Sequence, residues 1–256
     1  LPLIDIVSIQ NVAANYQTPL REMEAIKDVS FTVKKGEFVS VIGPSGCGKS
    51  TLLSIIAGLT KPSQGKVEIH SPDGSPVSVG YMLQRDCLYP WRTIWQNVCL
   101  GLEIKKMMSP ENKLYAENLL KTYGLWEFKD SFPRELSGGM RQRAALIRTL
   151  AIRPTVLLLD EALGALDYQT RLTVADDLYR IIQNEHMTAI MVTHDISEGI
   201  SLSDKIVVLS KRPATVKSIH EITFASGRGS PLKCRESSEF GVYFNRIWRD
   251  IDAHLQ

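Results

Sequence analysis

The octapeptide Gly43-Pro44-Ser45-Gly46-Cys47-Gly48-Lys49-Ser50 has the spacing of a phosphate cradle, G-x-x-x-x-G-K-[ST]. Glycines at the bends let backbone N–H groups turn inward around a polyphosphate. Lys49 would reach the β- and γ-phosphates, and the Ser50 hydroxyl would hold Mg²⁺. Thr51 extends the same nucleotide-contacting stretch. A helix that begins here adds its positive N-terminal end. The octapeptide lies between an apolar run and a helical pattern, the context this motif requires.

A phosphate cradle alone leaves kinases, GTPases and many ATPases open. A second acidic site narrows the choice. Val156-Leu157-Leu158-Leu159-Asp160-Glu161 is an apolar strand ending in two acids. At the C-terminal edge of a parallel sheet they would lie beside the phosphate loop. Asp160 suits a ligand of Mg²⁺ or its water, and Glu161 suits the base that polarises an attacking water.

Leu136-Ser137-Gly138-Gly139-Met140-Arg141-Gln142-Arg143 resembles the signature motif of ATP-binding-cassette (ABC) ATPases. Other motifs of that family follow in the family's order. Gln84 resembles the Q-loop glutamine, Ala165-Leu166-Asp167 the D-loop, and His194 the switch histidine; Tyr16 is similar to the aromatic that stacks on adenine. The resemblance covers about Leu3 to Arg212. It implies an α/β P-loop core with an antiparallel β-subdomain and an inserted helical subdomain. It also implies two chains facing head to tail with ATP and Mg²⁺ between them. Ser137, Gly138 and Gly139 would then bind the γ-phosphate of ATP held by the other chain, as a helix N-terminus can. Gln84 would contact Mg²⁺ or the lytic water, and His194 would bond the γ-phosphate and hold Glu161 in place.

Gln84-Arg85-Asp86-Cys87-Leu88-Tyr89-Pro90-Trp91-Arg92-Thr93-Ile94 resembles importers of the nitrate/sulfonate/taurine group, relatives of which take up pyrimidine precursors. Leu209-Ser210-Lys211-Arg212-Pro213 and the tail around Glu239-Phe240 and Ile247-Trp248 resemble that group too. Tyr89, Pro90 and Trp91 would line a groove that receives a cytoplasmic helix of a membrane permease, an aromatic-lined receptor for a helix. The group often has Pro-Phe after the catalytic acid, where this chain has Ala162-Leu163.

These residues must be carried by alternating strands and helices. Leu3 to Val12 alternates like a half-buried strand, and Phe31–Val33 and Glu37–Ile42 read as strands about a turn at Lys34-Lys35-Gly36. Ser50 to Leu59 reads as a helix, and Val67–His70 and Val77–Met82 as strands. A mainly helical insertion is expected over about 86–153, with an N-cap at Ser109-Pro110-Glu111 and a stripe of Leu114, Leu119, Leu120 and Tyr123. Strands at Thr155–Asp160, Ala189–Thr193 and Lys205–Ser210, with a helix at Tyr168–Glu185, predict a parallel sheet flanked by helices. The cassette is expected over 1–226, and a tail with a short helix, Phe240 to Leu255, over 227–256.

Composition sets the outer bounds. With 44% hydrophobic and 23% charged residues in 256, the chain is an ordinary globular one, which excludes disorder, collagen and coiled coil. A formal charge of +2 argues against a nucleic-acid binder held by a basic field. Cys47, Cys87, Cys99 and Cys234 form no C-x-x-C pair, so neither a zinc nor a redox motif is expected. No run reaches the roughly 18 apolar residues of a membrane span, and no signal peptide is expected. The expected protein is a peripheral ATPase on the cytoplasmic face of the inner membrane. Its expected partners are a second copy, permease subunits and, indirectly, a solute-binding protein. The alternative is a soluble ABC ATPase acting on ribosomes or other cytosolic machinery. Such proteins commonly join two cassettes in one chain, whereas one is read here.

Overall fold

The computed structural model describes residues 4–17, 22–72, 74–164, 166–225 and 227–252; for 16, 17 and 22 it describes the backbone alone. The chain begins with β1 (Asp5–Gln17), β2 (Glu22–Lys34), β3 (Phe38–Ile42), α1 (Lys49–Ile56), β4 (Gln64–Ile69) and β5 (Val79–Met82). Helices α2 (Ile94–Val98), α3 (Leu100–Ile104), α4 (Pro110–Thr122) and α5 (Gly138–Leu150) follow. The chain then runs β6 (Val156–Asp160), α6 (Tyr168–Asn184), β7 (Ala189–Thr193), α7 (Ile196–Leu202), β8 (Lys205–Leu209) and β9 (Ala214–Glu221). It closes with α8 (Pro231–Cys234) and α9 (Ser238–Asp252).

The strands form one curled sheet in the order β4-β1-β2-β9-β8-β3-β7-β6-β5. From β8 to β5 the strands are parallel; β4, β1 and β2 are antiparallel to one another. β9 joins the two halves, antiparallel to β8 and parallel to β2. In register, Ile42 lies opposite Thr193, and Asp160 opposite Val192. The C-terminal ends of β3, β6 and β7 therefore meet at one edge, where open α/β sheets bind ligands.

β3, β7 and β8 are buried along their whole length, so they read as unbroken apolar runs and not as alternation. Their side chains still alternate between faces. In β6, Leu157 and Leu159 face the helical cluster, while Val156 and Leu158 face the cluster containing β1, β2 and α1. α6 presents Val174, Ala175, Leu178, Ile181 and Ile182 to the core at helical spacing.

Several sequence expectations change in detail. β1 and β2 are 13 residues each, because they pair with each other from Asp5↔Lys34 to Gln17↔Glu22. A bulge between Ile9 and Val12 puts Asn11 at φ 48°, a conformation asparagine tolerates. Leu114 is 56% exposed and leaves the α4 stripe; Ala116, with Leu119, Leu120 and Tyr123, makes the buried face instead. β9 and α7 lie where no element was expected. The tail does not stand apart from the sheet: Cys234 and Ile247 share a core with Ile42, Ile196, Ile200, Ile206 and Val208.

Candidate functional site

The loop between β3 and α1 bends where only glycine fits. Gly46 has φ +73° and Gly48 φ +118°. A Cβ on Gly48 would also sit 3.1 Å from Ala25 O and 3.2 Å from Ile26 Cγ1, so the loop rests directly on β2. Gly48 has no side chain with which to cap α1, so the helix N-terminus opens directly on the loop. Lys49, 5% exposed, folds over the loop and donates to Gly43 O (2.8 Å) and Pro44 O (3.0 Å). Ser45, Gly46, Gly48, Lys49, Ser50, Thr51, Glu161 and Arg212 line one pocket. Burial pushes the Cys47 thiol up, although Lys49 pulls the other way.

β6 brings Glu161 into this pocket and Asp160 against its Ser50. Asp160 Oδ1 accepts from Ser50 Oγ at 2.9 Å, and its Oδ2 accepts from Tyr81 Oη at 3.1 Å. Burial, then the Asp160 carboxylate, pushes the Tyr81 phenol up to about 12, so Tyr81 stays a donor at neutral pH. The sequence reading missed Tyr81: it stands in a short β5 strand and belongs to no motif. Glu161 adopts φ +44°, uncommon for a non-glycine residue, and its N–H donates to Val192 O (3.0 Å). Its carboxylate is held on both sides. Gln84 Nε2 donates to Oε2 at 3.3 Å, and His194 Nδ1 lies 3.2 Å from Oε1. Gln84, Glu161 and His194, from the ends of β5, β6 and β7, thus meet in one row.

A hydroxyl and a carboxylate side by side are the hard oxygen donors Mg²⁺ prefers. Ser50 and Asp160 therefore fit the metal, with Gln84 entering the row through Glu161.

A second pocket contains Ser137, Gly138, Gly139, Asp167 and Thr170 and shares no lining residue with the first. Ser137 caps α5, its Oγ accepting from Met140 N at 3.3 Å. A Cβ on Gly139 would lie 3.0 Å from Val174 Cγ2, so the glycine allows α5 to approach α6 closely. Asp167 caps α6, accepting from Thr170 N (3.0 Å); hydrogen bonding from the Thr170 side chain, then from its backbone, holds the carboxyl below the usual range. Tyr16 pairs with Met23 along the backbone, but its side chain lies outside the described residues, as does Ala165.

Residues 26–164 match the family model described as "ABC transporter". The chain belongs to the ABC transporter family. It carries that family's ATP-binding domain and is an ATPase. An uncharacterized ABC transporter ATP-binding protein of Bacillus subtilis (strain 168) is 43% identical over 96% of this chain and 95% of its own length. An aliphatic sulfonates import ATP-binding protein of Bacillus licheniformis is 40% identical over 81% of this chain and 82% of its own. Among solved structures, a dimeric post-hydrolysis state of the ATP-binding cassette MJ0796 bound to ADP and Pi superposes with a TM-score of 0.70. It is 33% identical and covers 85% of this chain and 99% of its own. The cassette fold expected from the motifs is the one observed. No helix among the described residues is long and apolar enough to cross a membrane.

Proposed function

We propose that this cassette is the ATP-hydrolysing subunit of an importer that moves a small solute of the nitrate, sulfonate or taurine type, or a pyrimidine precursor, through a separate permease. The clamped Glu161 carries the hydrolytic part of the reading. Gln84 and His194 fix the carboxylate where β6 ends, beside the Ser50–Asp160 pair. A base whose geometry is set in advance loses no orientation energy during reaction. Lys49 and the cradle of residues 43–51, through the backbone N–H groups its non-proline residues carry, bind the β- and γ-phosphates. Mg²⁺, held by Ser50 and Asp160 with Gln84 beside them, supplies charge neutralisation to those phosphates when bound. Glu161 takes the proton of the attacking water, and His194 holds Glu161 and bonds the γ-phosphate.

Ser137, Gly138 and Gly139 act on the ATP of a second copy. Their pocket and the phosphate pocket are separate on one chain, so a head-to-tail pair is the arrangement that joins them. The dimeric cassette relative supports that assembly. Asp167 stands beside the signature serine in that interface, and Tyr16 stacks on adenine. Residues 1–226 form the cassette, with about 86–153 as its helical subdomain and 227–256 as its tail. Tyr89 and Trp91, 40% and 70% exposed and stacked at 4.9 Å, form the permease-receiving surface on the cytoplasmic face of the inner membrane. The sulfonate-import relative supports the direction of transport. A solute-binding protein would feed the permease. Reconstitution with that permease tests the whole reading: solute uptake driven by ATP is expected, and ATPase activity that no permease stimulates would favour the soluble alternative.

A further inference from the structure

We propose that Arg212 is a nucleotide-binding residue that reaches the α-phosphate from the turn between β8 and β9; this rests on the reading of residues 43–50 as the triphosphate cradle. Arg212 lines the same pocket as Ser45, Lys49, Ser50 and Glu161. Its turn is fastened against the cradle at both ends. At one end, a Cβ on Gly43 would lie 3.1 Å from Leu209 O and 3.2 Å from Leu209 Cβ. At the other, Ala214 pairs in register with Ile26, whose side chain abuts Gly48. The turn itself is tied shut: Ser210 N donates to Thr215 O (3.0 Å), and Thr215 N donates to Ser210 Oγ (2.9 Å).

Arg212 also marks the path between cradle and base. Its Nη1 donates to Met23 Sδ at 2.7 Å, and Met23 is the β2 partner of Tyr16. The guanidinium therefore touches Met23 from a residue that lines the phosphate pocket. A nucleotide with its base at Tyr16 and its β- and γ-phosphates over α1 passes this point with its α-phosphate. A thioether is a weak acceptor and occupies one of five guanidinium N–H groups. The planar fork suits a phosphate better than any lysine would. Among the described residues that line the pocket, the one carboxylate, Glu161, is already held by Gln84 and His194.

The test is the affinity of the full chain for ADP and for a non-hydrolysable ATP analogue, measured by calorimetry. Arg212→Ala is expected to weaken both by the same factor, about tenfold, the low end for a charge-assisted bond because the side chain is exposed. Arg212→Lys should recover part of the loss. Unchanged affinity for both ligands would overturn the proposal. A loss confined to the triphosphate would move the contact to the γ-phosphate and overturn the α-phosphate assignment. Lys49→Ala, run in parallel, separates the two layers: if it leaves affinity intact, the cradle reading itself fails. Affinities are compared at matched melting temperature, with Arg212→Gln in place of alanine should the alanine variant melt earlier.

Discussion

At the scale of single residues, the row Gln84, Glu161, His194 makes a sharp claim about which step each group serves. Glu161→Gln keeps size and hydrogen-bonding reach but loses the base. On the proposed reading ATP is bound by Lys49, Ser50 and loop N–H groups, which line the pocket with Glu161, so binding should survive. Turnover should fall by roughly 10²–10⁴-fold, the usual contribution of a general base. Phosphate release measures the loss. Size-exclusion chromatography at millimolar ATP should show an ATP-bound dimer accumulating; near-wild-type turnover would remove Glu161 from the role. Lys49→Ala should do the reverse and weaken nucleotide binding itself. The residues of these motifs are legible in the sequence because the chemistry constrains spacing: left-handed bends need glycine, and a base at a strand end needs an acid after an apolar run. Tyr81 and Arg212 are not legible in that way. Tyr81 reaches Asp160 because β5 lies beside β6, and Arg212 reaches the pocket because β9 lies between β8 and β2; those are pairings of distant segments.

Among elements, α7 shows what the local pattern could not reveal. It is seven residues long and follows β7 directly, too short for a helical period to register. β9 was missed for a related reason: its alternation is half-buried and interrupted by Lys217, Ser218 and His220. β7 was legible to the residue, since Ala189–Thr193 is a fully buried apolar run bounded by polar residues. α7 buries Glu198, which is 3% exposed. Its Oε2 accepts from Thr193 Oγ1 at 2.8 Å, and Arg171 Nε is 3.9 Å from Oε1. Burial raises the Glu198 carboxyl above its ordinary value. The folded chain then binds that proton more tightly than the unfolded chain, so this group's contribution to stability is present at acid pH. It is lost as pH rises through the folded-state value. Glu198→Gln keeps the acceptor for Thr193 and removes the buried charge. Its melting temperature should exceed that of the wild type at pH 7, with the gap closing as pH falls towards the usual glutamate range. A variant less stable at every pH would mean that the Arg171 contact outweighs the burial of charge.

For the whole molecule, the proposed importer role predicts that hydrolysis is separable from delivery of a closing motion, and Trp91 is where the separation can be tested. The loop that carries it is rigid. Asn97, fully buried in α2, accepts from Tyr89 N at 2.7 Å and donates to the carbonyls of Tyr89, Arg92 and Thr93 at 3.0–3.1 Å. Arg148 on α5 ties the preceding segment by donating to Cys87 O (2.7 Å) and Asp86 O (2.8 Å). Asp86 in turn accepts from Arg141 Nε at 3.0 Å. A push on Trp91 therefore reaches α5, the helix capped by Ser137, through polar contacts with little slack. An exposed, pre-ordered aromatic pair also loses little entropy when a partner covers it, which is how interface anchors act. Trp91→Ala removes the anchor and leaves Asn97, Arg148 and the catalytic row in place. Basal ATPase of the isolated subunit should stay within about twofold of wild type, as for a surface change remote from the chemistry. Affinity for the permease should fall at least about thirtyfold, the minimum for an aromatic hot spot, and recovery in a pull-down should fall with it. Permease-stimulated hydrolysis should fall with it. Full permease recovery together with collapsed basal ATPase would reverse the assignment, making Trp91 a support of the catalytic row and placing the receiving surface elsewhere on the helical face.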